Sequence, residues 1–139
     1  MLRYRFTSLI AAGMLLVMTG AASAHHSFAM FDQTQTVILE GTVSDFQWTN
    51  PHAVIFLDIR TAQGDMETWL FSMNSPNNLR RQGWRKDTLK TGDKVTIVMH
   101  PLRDGGKGGM FVSVTLPDGT VLGDPTQTGN GPINVPTVP

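Results

Sequence analysis

Between Thr36 and Leu116 the chain alternates apolar and polar residues in five short runs, each closed by proline, glycine or asparagine. That period of two belongs to half-buried β-strands. The first run, Thr36 to Trp48, carries Val37, Leu39 and Val43 in one phase and Phe46 and Trp48 in the other, so the phase slips by one residue near Ser44-Asp45. A one-residue slip inside a strand predicts a β-bulge, hence one long bent strand with Gly41 easing its curvature. Asn50-Pro51 breaks the run, because proline cannot donate to a ladder.

Ala53 to Arg60 reads as a second strand with Ile55, Leu57 and Ile59 on one face, and a turn at Ala62 to Asp65 leads into a third at Met66 to Met73. The two should pair as a hairpin. Ser75-Pro76 is an N-cap followed by a first-turn proline, predicting a short helix that Gly83 stops, with Leu79 buried and Trp84 packed at its end. The fourth strand, Lys94 to His100, places Val95, Ile97 and Met99 on one face and ends at Pro101. A glycine-rich loop from Arg103 to Gly109 precedes the fifth, Met110 to Leu116. Three strands, a helix and two strands is the order of a mainly β fold, a five-stranded OB-like Greek-key barrel with one short helix between strands 3 and 4. A small β-sandwich or an open sheet is the other arrangement the order allows.

The opening segment has a different plan. Arg3 and Arg5, an apolar run from Leu9 to Met18, and the small residues Ala22 and Ala24 are the three parts of a secretory signal peptide, predicted over residues 1–24. The apolar run is shorter than the roughly 20 residues a membrane span needs. Cleavage would leave 115 of the 139 residues, divided as an N-terminal arm (25–35), the barrel domain (36–122) and a tail (123–139) whose proline, glycine and threonine composition predicts disorder. Export would place the protein in the periplasm. Without Arg3 and Arg5, nine basic residues face eleven acidic ones, a balance that gives no basic stripe for nucleic acid. The chain has no cysteine, so neither a disulfide nor a thiolate ligand is available.

The four histidines are the distinctive chemical resource: His25, His26, His52 and His100. With His25 at the mature terminus, its α-amino group and imidazole can chelate one ion, and a second imidazole completes a histidine brace suited to copper as Cu(II). In the predicted barrel His52 lies in the loop joining strands 1 and 2 and His100 at the start of the loop joining strands 4 and 5, which flank one binding face. His25 stands 11 residues before the first strand, a tether of about 36 Å if extended. The methionines occur singly at strand spacing and read as core filler.

No serine has a nucleophile's context, the carboxylates are scattered, and the Gly-Gly-Lys-Gly-Gly loop around Lys107 lacks the ending of a phosphate loop, so no enzyme is expected. Phe46, Trp48, Trp69 and Phe71 form either core or a face that stacks ligands. The function expected is a periplasmic non-enzymatic binding module that takes Cu(II). The alternative is an interaction protein that uses its rim or aromatic face to hold an envelope protein or small ligand.

AHHSFAMFD (24–32), EGTVSDFQWTNPH (40–52), LRRQGW (79–84), LKTGDKV (89–95) and HPLRDG (100–105) add a resemblance. Together they resemble the domain of unknown function 6152, a family of small exported bacterial proteins. The resemblance implies export and a compact β-barrel-like domain, and carries over no catalytic or ligand residue.

Overall fold

A computed structural model describes residues 26–123 and 133–134. The predicted signal peptide, His25 and most of the predicted disordered tail lie outside the described residues. Helix α1 (His26–Ala29) opens the arm, followed by β1 (Thr36–Gln47), β2 (Val54–Arg60), β3 (Met66–Ser72), α2 (Pro76–Arg81), β4 (Lys94–Pro101), β5 (Gly108–Thr115), β6 (Val121–Gly123) and β7 (Ile133–Asn134). The fold is mainly β, with one short helix between β3 and β4. No described helix is long and apolar enough to cross a membrane.

The strands form one sheet, mostly antiparallel, ordered β2-β3-β5-β4-β1-β7, with β6 on β5. β1 also pairs with β2, so its first half lies against β4 and its second half against β2. A strand that serves two partners in succession must bend, and the predicted slip supplies the bend. Val43 pairs with Leu57 and Asp45 with Phe56, which leaves Ser44 as the extra residue of the bulge. The turn before β4 satisfies the disturbed backbone: Val43 N donates to Asp93 O (2.8 Å), Gly92 N to Val43 O (2.8 Å) and the Thr91 hydroxyl to Ser44 O (3.2 Å). Gly41 is required by proximity as well as by curvature, because a Cβ there would stand 2.7 Å from Asp58 O and from Leu57 Cγ.

The glycine loop differs from expectation. Gly108 and Gly109 belong to β5, where they pair with Leu70 and Phe71 of β3 in parallel. A Cβ on Gly108 would strike the Leu70 carbonyl, and one on Gly109 the His100 carbonyl and the Met99 sulfur. These two glycines are therefore packing residues that let three strands close together. Lys107 is tied to Glu67 at 2.8 Å.

The inward faces of β1 to β5 bury Val43, Ile55, Leu57, Phe71, Ile97 and Val114 completely, each such side chain contributing about 1.5–3 kcal/mol of transfer free energy. α2 starts as the sequence predicts, with Ser75 Oγ accepting from Asn78 N, and it buries Leu79 against this core. The chain leaves α2 through Gly83 (φ +90°) and buries Trp84. Phe46, Trp48, Trp84 and Phe111 then stack edge to face or tilted, with centroids 5.4–6.1 Å apart.

Candidate functional site

His100 is the last but one residue of β4 and is only 5% exposed. Its Nδ1 lies 2.7 Å from the carbonyl oxygen of Gln35, the residue that leads into β1. A carbonyl oxygen only accepts, so Nδ1 carries the proton, and in the neutral ring Nε2 keeps a free lone pair. That is the arrangement by which a metal-binding histidine is oriented from behind. His52 repeats the device in a looser setting: its Nδ1 lies 3.0 Å from Met73 O, across the β2–β3 hairpin, and the residue is exposed.

The two histidines stand at the same end of the sheet. His100 pairs with Met110, Met110 with Ser72 and Ser72 with Val54, a row across β4, β5, β3 and β2 that ends two residues from His52. Three strand spacings amount to about 14 Å along the sheet, whereas two imidazoles on one ion bring their nitrogens within about 4 Å. Among the described residues no group of three or more histidine and carboxylate side chains converges. His52 and His100 are thus separate candidates, each needing ligands from elsewhere. His26 begins α1, and His25 lies outside the described residues.

The arm runs along the His100 end of the sheet. Phe31 forms a bridge with Leu102, Asp32 N donates to Pro101 O (2.8 Å), Arg103 N donates to Met30 O (2.9 Å) and Arg103 Nε to Ala29 O (3.1 Å). Phe31 is buried. Asp32 organises the turn that presents the Gln35 carbonyl: its carboxylate accepts from Thr34 Oγ1 (2.6 Å), Thr34 N (3.1 Å) and Gln35 Nε2 (2.9 Å). The Thr34 bonds hold the Asp32 carboxyl below the ordinary carboxylate range, with help from Gln35 and the Arg103 charge. Sequence reasoning found His100 but missed this clamp. The Asx-type turn at Asp32 to Gln35 was the available signal.

An open groove of about 860 Å³ lies at the other end of β4, lined by Glu40, Asp58, Arg60 and Lys94 among others. Lys94 is six residues from His100, about 20 Å along the strand. Two of the groove's four charges are engaged nearby, with Thr68 Oγ1 donating to Asp58 (2.7 Å) and Arg60 to Gly64 O (2.9 Å). The predicted aromatic face is mostly core: Phe71 is fully buried, and Phe46, Trp48 and Trp69 are partly buried against the same cluster.

No curated protein matches the chain. Among solved structures it is similar to the mitochondrial single-stranded DNA binding protein Rim1 of S. cerevisiae, at 9% identity and a TM-score of 0.46, over 63% of this chain and 94% of that one. A family model described as a family of unknown function (DUF6152) matches residues 12–112, from within the N-terminal segment into β5. The chain belongs to the DUF6152 family.

Proposed function

We propose that the mature protein is a periplasmic, non-enzymatic binding module, an OB-like Greek-key barrel whose ligand is Cu(II). The ion is held by the amino group and ring of His25, with His100 as the protein-borne imidazole. The barrel reading is supported by the pairings β1–β2–β3–β5–β4–β1, which return to the starting strand. The observation that carries the metal reading is the His100 clamp. The Gln35 carbonyl fixes Nδ1 as the donor, Nε2 has no partner among the described residues, and the arm that supplies Gln35 is the segment leading back to His25. His52 has the same tautomer logic but no link to the arm among the described contacts.

Titration of signal-cleaved protein with Cu(II), followed by calorimetry and EPR, tests the reading. A nitrogen-rich spectrum and one tight equivalent are expected. Binding no tighter than that of a protein bearing one extra alanine before His25 overturns it.

One observation favours a second reading, an envelope interaction surface without metal. Leu70, 43% exposed, faces Phe56 across β2–β3. Cross-linking in envelope extract distinguishes the two: a partner lost with Leu70→Asp but kept with His25→Ala supports the interaction surface.

A further inference from the structure

Charge is spread unevenly over this molecule. Residues 80–90, which lead from the end of α2 toward β4, hold Arg80, Arg81, Arg85, Lys86 and Lys90, five of the chain's eleven basic residues, with only one of its eleven acidic residues, Asp87. The near-zero net charge conceals this. Leu79, Trp84 and Leu89 recur every five residues and are all buried in the core, whereas the residues between them stand in solvent, apart from half-buried Thr88. The segment is a strap pinned at three points, with its five cations on the outer side. Its backbone is fixed by short turns, in which Trp84 N donates to Leu79 O (3.0 Å), Thr88 N to Arg85 O (3.1 Å) and Arg85 N to Thr88 Oγ1 (2.8 Å).

Among the described residues the one ion pair is Lys107–Glu67, and none of the five strap cations donates a side-chain hydrogen bond. The carboxylates at the far end of the strap are used otherwise. Asp93 accepts from Lys90 N (2.9 Å), and Asp45, beside the Ser44 carbonyl that Thr91 reaches, accepts from Phe46 N (2.8 Å) and Gln47 Nε2 (3.1 Å). Arg80 and Arg81 stand in the last turn of α2, where cations complement the helix dipole. That accounts for two of the five.

We infer that the outer side of this strap docks on an anionic phospholipid surface, the five cations lying among its headgroups. A negatively charged bilayer attracts by its surface potential and needs only charge from the protein. A protein partner draws most of its binding energy from anchors buried at the interface, and the strap's own apolar residues are turned into the core. This docking does not depend on copper.

The experiment measures co-sedimentation of signal-cleaved protein with vesicles of phosphatidylglycerol in phosphatidylcholine, and with phosphatidylcholine alone. Each basic residue near such a surface raises partitioning about fivefold, so Arg80→Gln, Arg81→Gln, Arg85→Gln should lower it about 100-fold with an unchanged thermal midpoint. Lysine at the same three positions should keep binding, and salt at about 0.5 M should abolish it. The matched removal of three cations elsewhere, Arg60→Gln, Lys94→Gln, Lys107→Gln, should leave most of the binding in place. An equal loss from the two triple variants overturns the inference, as does absence of binding at low salt. Preference for soluble polyglutamate over the anionic vesicles also overturns it, in favour of an acidic polypeptide partner.

Discussion

His52 and His100 answer the same chemical demand in two ways. Each gives its Nδ1 proton to a backbone carbonyl and leaves Nε2 free. The partner of His52 is 21 residues away, across one hairpin, and the ring stays in solvent. The partner of His100 is 65 residues away on the arm, at 2.7 Å, and the ring is buried. A locally clamped, exposed imidazole is free to turn away from its carbonyl at little cost. A buried one clamped by a distant segment registers whether that segment is docked, and of the two histidines it is His100 that is bonded to the arm.

The sharpest break of this contrast is a pair of alanine variants read by copper calorimetry. His100→Ala should lower Cu(II) affinity by at least about 10- to 100-fold, the loss typical when only an outer-shell partner of a metal ligand is removed, while His52→Ala should leave it within about twofold. A reversal of the two results would make His52 the partner. Protein stability gives the next largest effect. Gly109→Ala should cost about 1–3 kcal/mol in urea unfolding, since the new methyl meets the His100 carbonyl and the Met99 sulfur and overpacks the strand that carries His100. His100→Ala should itself cost about 1–3 kcal/mol by leaving the Gln35 carbonyl without its donor, against about 0.5 kcal/mol for the exposed His52→Ala.

pH separates the regions in smaller steps. Copper binding should weaken as pH falls, because protons compete with the ion for its nitrogen ligands. A second change belongs to the arm alone. The Asp32 carboxyl is held below its ordinary value in the folded state, chiefly by Thr34, so its contribution is fully present above the unfolded value and is lost as pH falls through the folded one. Hydrogen exchange at Thr34 and Gln35 should therefore quicken below the usual carboxylate range in wild-type protein. Asp32→Asn should show the quickening already at neutral pH, and exchange near His52 should not change with it.

Much of this molecule is legible along the chain. Alternation located β1 to β4, the phase slip located the bulge at Ser44, and Ser75-Pro76 with Gly83 bounded α2. These are short-range matters, decided by which side of a pleat a residue occupies and which backbone angles its neighbours permit. The start of β5 was not legible, because Gly108 and Gly109 look like loop until Leu70 and His100 are known to lie against them. β6 was missed for a related reason: its three residues show no alternation of their own and pair only with β5.

The sequence by itself determined β1 to β4, the bulge in β1 and the four imidazoles, since periodicity and residue chemistry are properties of the chain. Only the tertiary structure decided that His100 and not His52 is bound to the arm. Nothing between Gln35 and His100 in sequence says that a carbonyl and a ring nitrogen 65 residues apart will meet. That meeting arises from β1 lying against β4, which is a consequence of packing the whole sheet around one core.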